Sequence, residues 1–287
     1  MKNSAQLRMT ESGVDVIVPV ISELKGDSRL VILLGQPEGA KRASKKLSAH
    51  HGVKKVGRGL FVIHGYSESH AKILNLQPTM SFIKTKEIPS IRKSVAEVYS
   101  NRAFTIVSFS FKNPTAQQKK RVERLIRKTT GIRLRSGVVI FPLLRSKERR
   151  RILGFEDERV LLDSTEFNRL VREVGSNTTR WSRLKIINMD GENHITHAIE
   201  QTLFRNLHTL EEKTRTLREQ CKDSAVTIKQ LKREYTIQSR RFRELKSKWM
   251  LAKKLWLYDA EKVLRRTYNI LLNTRRAIIS EETRRLN

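Results

Sequence analysis

The sequence predicts an α+β chain: two β-α-β-β-α-β units in tandem, followed by a long helical hairpin or coiled coil. Three observations predict it. Short apolar runs alternate twice, in the same order, with segments of helical periodicity. A glycine-bounded hairpin signature occurs once in each copy, with Gly52 and Gly59 ahead of LFVI and Gly131 and Gly137 ahead of VVIF. From Glu192 to Asn287 there is neither glycine nor proline, and a heptad seam runs through much of that span.

Residues 1–28 are an N-terminal extension. RLVILL (29–34) reads as a buried strand and GQPEG as a turn, after which Ala40, Ala43 and Leu47 recur at helical spacing. Leu60, Phe61, Val62 and Ile63 form a strand, SESHAKIL a short helix, and TMSFIKT (79–85) the closing strand of the first unit. KEIPSIRKSVAEVYS (86–100) reads as a connecting helix with Ile91, Val95 and Val98 on one side. The second copy opens on AFTIVSFSF (103–111), whose β-branched and aromatic residues favour a strand. Asn113 and Pro114 suit an N-cap and first helical position, and the helix they open puts Val122, Leu125 and Ile126 on one face. GIRLRSGVVIFP (131–142) supplies two strands. Asp163 and Glu166 form a capping-box start for a helix turning Phe167, Leu170, Val171 and Val174 inward, and WSRLKIIN (181–188) alternates as the last strand.

This element order is the ferredoxin-like pattern. It predicts units at 29–85 and 102–190, a linker helix over 86–101 and a helical region over 191–287. Gly52 and Gly131 read as helix-stop glycines. The two hairpins differ by one residue, and a one-residue slip turns side chains to the opposite face, so a bulge or longer turn is expected in the first copy. Phe61, Phe109, Phe111 and Phe141 are expected in the strand core.

In the last third, Leu203, Leu207, Leu210, Thr214, Leu217, Cys221, Ser224, Ile228, Leu231, Tyr235, Gln238, Phe242, Leu245, Trp249, Ala252 and Trp256 step by alternating fours and threes. The seam weakens near Cys221 to Ser224. A turn there makes an antiparallel hairpin within the chain; an unbroken helix pairs with a second chain, which makes a homodimer or a protein partner the expectation for this region. The heptad spacing of Trp249 and Trp256 points to buried packing more than to base stacking.

The 287 residues carry 59 Lys and Arg against 29 Asp and Glu, a formal charge of +30. That excess is the footprint of a nucleic-acid binder. It is densest from Lys119 to Arg151, where only Glu123 and Glu148 oppose it. Lys119, Lys120, Arg121, Arg124, Arg127 and Lys128 fall on the exposed flank of one helix, Arg133 and Arg135 on the adjoining strand, and Arg145, Lys147, Arg149, Arg150 and Arg151 in a basic loop. Such a set suits contacts to backbone phosphates. The first copy adds Lys41, Arg42, Lys45 and Lys46, and on its hairpin Lys54, Lys55 and Arg58, the last flanked by two glycines that let a ligand approach the backbone.

Other chemistries have less to stand on. The single Cys221 excludes an internal disulfide and a cysteine zinc site, and a reducing cytoplasm is the simplest compartment. No run approaches the ~18–20 apolar residues that span a bilayer. His50 and His51 point to different sides, His64 and His70 lack companion ligands, and His194 and His197 lack a third, so no metal or cofactor is expected. No Walker loop, dinucleotide fingerprint or serine elbow occurs, and the clustered carboxylates that a metal-dependent nuclease needs are scarce. A non-enzymatic role is therefore the expectation, with an assembly subunit for an acidic protein and a divergent nuclease as alternatives.

The stretch from Gly52 to Phe61, GVKKVGRGLF, resembles the helix end and hairpin of the small ferredoxin-like nuclease-fold subunit of CRISPR adaptation complexes. GIRLRSGVVIFP is similar to the related domain of phenylacetate-degradation repressors and chromate-resistance regulators. Domains of that superfamily pair as dimers, so the resemblance implies a dimer fused into one chain. The adaptation subunit carries an Asp after its first strand; Gly35-Gln36-Pro37 and Ser110-Phe111-Lys112 stand there in this chain, which removes support for cleavage. The winged-helix unit that precedes the domain in the repressors cannot be read in residues 1–28.

Overall fold

The computed structural model describes Leu24 and residues 27–34, 37–88, 102–146, 161–256 and 260–286. The apolar runs become strands and the periodic segments helices. In chain order they are β1 (Arg29–Leu33), α1 (Pro37–Ser48), β2 (Val53–Gly57), β3 (Leu60–Ile63), α2 (Glu68–Leu74), β4 (Thr79–Lys84), β5 (Phe104–Ser110), α3 (Ala116–Arg127), β6 (Ile132–Arg135), β7 (Val138–Pro142), α4 (Ser164–Glu173), β8 (Asn177–Ile186), α5 (Met189–Gln220), α6 (Ile228–Trp256) and α7 (Glu261–Leu286). The expected linker helix lies almost wholly outside the described residues.

The strands form one eight-stranded sheet in the order β2-β3-β1-β4-β8-β5-β7-β6. Every pairing in it is antiparallel. The order is symmetric about its middle, where β4 and β8 meet through Phe82 opposite Ile186 and Lys84 opposite Leu184. Both faces are covered, which is why the strands read as unbroken apolar runs. Alternate side chains take opposite faces: Leu30 and Ile32 of β1 join one cluster, while Val31 and Leu33 pack with Ala43, Leu47, Ile73 and Leu74 of α1 and α2. In the second half Val107, Val139 and Phe141 pack likewise with Val122 and Ile126 of α3 and Phe167 and Val171 of α4.

The face without these helices is concave. Its residues from both halves, including Leu60, Phe82, Phe104, Ile140, Trp181 and Ile186, form a single cluster. Ile195, Ile199 and Leu203 of α5 and Leu251 and Ala252 of α6 complete it. The sheet curls so that Arg135 at the end of β6 reaches the first half, donating to the Leu33 carbonyl at the end of β1 at 2.6 Å and to the Gly59 carbonyl in the β2–β3 turn at 3.5 Å. Trp181, the largest fully buried side chain, sits inside this curl.

The hairpins bear out one expectation, a bulge in the first copy, and correct two others, that the bulge distinguishes the copies and that Gly131 stops a helix. Both carry a ladder irregularity, between Lys55 and Gly57 and between Arg133 and Arg135, and both close on a left-handed glycine, Gly59 at φ +66° and Gly137 at φ +76°. The extra residue of the first copy lengthens β2 at its start, where Val53 pairs with Ile63, and the turn itself is unchanged. Gly131 is no helix stop. It lies beyond the end of α3 without a positive φ, and an added Cβ would come within 2.7 Å of Val139 and 2.8 Å of Phe141. Close packing explains that glycine.

A third correction concerns the start of α3. Its cap is Thr115, whose hydroxyl accepts from the Gln118 N–H at 3.2 Å while the Thr115 N–H donates to Gln118 Oε1 at 2.9 Å. That reciprocal pair satisfies two helix-end groups at once, and Asn113 instead takes a left-handed turn position at φ 57°. Asp163 and Glu166 do form the expected capping box on α4.

The helical region is a three-helix bundle, one helix more than a hairpin. The chain turns between α5 and α6 where the seam weakens, and Arg285 of α7 clamps that turn by donating to the Val226 carbonyl at 2.7 Å and the Asp223 carbonyl at 3.0 Å. Leu207 and Leu210 of α5 meet Phe242 and Leu245 of α6 and Leu264 and Leu271 of α7. Most of the described seam is thus buried within one chain, with Ser224 exposed in the turn. Buried Glu211 accepts from Thr267 Oγ1 at 2.7 Å and Arg266 Nε at 3.0 Å, so its charge is paired.

Candidate nucleic-acid interface

Helix α3 forms because its apolar positions repeat at three and four, and burying Val122 and Ile126, with Leu125 half-buried beside them, turns the Lys and Arg positions outward. Lys119, Lys120, Arg121, Arg124, Arg127 and Lys128 are all exposed. Arg124 and Arg127 sit in the last turn, where cations favour the helix dipole, but the first turn has no acid. Glu123, the one acid of α3, binds Arg133 at 2.6 Å, so neither side chain adds to the net field of the face.

The topology orders the remaining cations. Helix α3 ends where β6 begins, and β7 runs antiparallel to β6, so Arg145 after β7 lies toward the Arg127–Lys128 end. Its Nε donates to the Ile88 carbonyl at 2.9 Å, and the residue is exposed. Arg58 and Arg135 meet at the opposite, hairpin end. Arg135 is half-buried, and desolvation, helped by Arg58, lowers its pKa. It serves as an internal latch, with Gly59 leaving no room for a Cβ, which would stand 2.0 Å from Arg135 Nη1. Lys54 and Lys55 are exposed on the edge strand β2, and Arg58 is exposed at the tip. Lys147, Arg149, Arg150 and Arg151 lie outside the described residues.

On the first half Lys41, Arg42, Lys45 and Lys46 are exposed on α1. The histidines serve local structure. His70 Nδ1 accepts from the Ser67 N–H at 3.2 Å to complete the cap of α2, and burial, then the neighbouring His50, lowers its pKa. The His64 ring bonds the Ser28 hydroxyl at 2.7 Å. Among the described residues no three His, Cys, Asp or Glu side chains come together as a metal-binding group. No helix there is long and apolar enough to cross a membrane.

Two features escaped the sequence reading. One is the solvent face of α6, where Lys229, Lys232, Arg233, Arg240, Arg243 and Lys246 are exposed. The signal was present: these residues stand out of phase with the seam. The other is Lys248, whose ammonium reaches the Ile126 carbonyl at the end of α3 at 3.4 Å. Burial in this contact pushes its pKa down to about 7, with Arg241 adding to the effect. No family model, curated protein or solved structure matches the chain.

Proposed function

We propose that the protein binds nucleic acid without catalysis, through backbone phosphates held on the outer face of α3. The observation that carries the reading is the set of six exposed cations, five on that one helix and Lys128 at its C-cap, with Glu123 already paired to Arg133. Phosphate attraction of this kind is independent of sequence and sensitive to salt. The two halves are read as ferredoxin-like units fused as a dimer would pair. Their repeated element order and the mirror symmetry of the strand order about β4 and β8 support that. Cys221 is the chain's one cysteine, so no internal disulfide can form, which suits a reducing compartment; burial and then the nearby Glu281 raise its pKa.

Fluorescence anisotropy against salt tests the reading. Binding should weaken along a slope equivalent to more than about three neutralised phosphates. Replacing Arg121, Arg124, Arg127 and Lys128 with Gln should flatten that slope and weaken unrelated sequences equally. A wild-type slope below that value, or a variant with the wild-type slope, overturns the assignment to α3.

A further inference from the structure

Helix α6 buries Leu231, Phe242 and Leu245 against its two neighbours, so its opposite side faces solvent. On that side Lys229, Arg233, Arg240 and Arg243 follow one another at helical spacing, and exposed Lys246, three residues on, turns the row toward the seam beside Phe242, over about 25 Å in all at 1.5 Å per residue. The helix has two acids, Glu234 and Glu244, and Glu244 is buried and bound to Arg241 at 2.8 Å. Among the described residues no carboxylate pairs with Lys229, Arg233, Arg243 or Lys246.

This stripe runs into a slot between α6 and α7. Phe242, Lys246, Trp249, Leu264, Arg265 and Tyr268 line a cavity of about 340 Å³, the lower end of the range for small-ligand sites. Tyr268 is half exposed, its ring lying on Phe242 with centroids 5.8 Å apart and planes 30° apart, so one aromatic face stays open. Trp249 Nε1, at the inner wall, is buried with no hydrogen-bond partner among the described residues. Glu261 at the slot's end is held by Lys253 at 3.1 Å and Arg265 at 2.6 Å, which cancels its charge.

We propose that this side of the bundle binds single-stranded nucleic acid, the backbone following the α6 stripe and one unstacked base entering the slot against Tyr268. Cationic tracks interleaved with aromatic rings are how single strands are held, and a base inside a duplex cannot reach such a ring. Lys246 belongs to both stripe and slot, which joins the two contacts. The inference rests on the polyanion reading given above but uses different residues, so the two can fail separately.

The full chain is tested with labelled dT15, rU15 and a 15-base-pair duplex, the single strands separating DNA from RNA. Tyr268→Leu should weaken binding to one or both single strands about tenfold and leave the duplex unchanged. Tyr268→Phe, which keeps the ring, should stay within about twofold of wild type. Arg243→Gln with Lys246→Gln, two exposed changes that spare the core, should flatten the single-strand salt slope by about 1.4. An unchanged single-strand affinity in Tyr268→Leu, an equal loss on duplex, or an unchanged slope in the double variant overturns the proposal. Should the α3 variant bind every probe like wild type while Tyr268→Leu loses single strands, the bundle assignment stands and the α3 assignment falls. Failure of the wild type to bind any probe overturns both and leaves an acidic protein as the partner of the charge.

Discussion

Gly137 closes the β6–β7 turn at φ +76°, and an added Cβ would stand 2.6 Å from the Phe109 carbonyl oxygen. Gly65 has a similar φ of +61° but open space around it. The pair separates backbone strain from steric clash. Gly65→Ala should cost about 1–2 kcal/mol, the left-handed penalty alone, and Gly137→Ala clearly more, both measured by urea unfolding. Lys248 offers a second test. Its folded pKa of about 7 lies below the ordinary 10.5, so between those values the unfolded chain holds the extra proton. Stability should therefore rise as pH rises from 7 toward 10.5 and fall on the way back. Lys248→Met should raise the pH 7 urea midpoint and flatten that rise; an unaltered profile would show that the ammonium is solvated.

At the scale of elements, α5 is joined to the sheet by a side chain at its cap. Asn188 Oδ1 accepts from the Ser81 N–H at 2.8 Å and its Nδ2 donates to the Thr79 carbonyl at 2.6 Å, continuing the β4 ladder past its last strand partner. Asn188→Ala leaves two shielded backbone groups unpaired and should cost about 1–3 kcal/mol, and Asn188→Asp, which sets a carboxylate oxygen against the Thr79 carbonyl, should not recover the wild-type urea midpoint. Strand β6 shows that place in the fold, not sequence period, decides what a cation does. Period alone puts Arg133 and Arg135 on the same strand as equals. The bulge between them sends Arg133 to Glu123 and Arg135 to the Leu33 carbonyl.

Over the whole molecule, α5 belongs to both the sheet cluster and the bundle. Ile195, Ile199 and Leu203 lie in the concave cluster, and Leu207 and Leu210 four and seven residues further on lie in the bundle core. Two layers sharing one rigid helix should unfold together. Leu203→Ala should cost about 2–5 kcal/mol and shift the helical circular dichroism and the tryptophan fluorescence transitions by the same amount. A shift of one transition alone would show two independent units.

The apolar periods determined the elements, because burying one face dictates a spacing of two in strands and 3.6 in helices. They also marked the repeated order of elements, the weak point of the seam after α5 and the outward flank of α3, since each depends on neighbours in sequence, but they left open whether the chain turns at that weak point. Tertiary structure alone decided the rest. The pairing of β4 with β8, the curl that brings Arg135 to β1, the third helix closing the heptad seam within the chain and the slot beside Tyr268 all join residues distant in sequence. Chain-local patterns say which side of an element must be buried. They do not say against what.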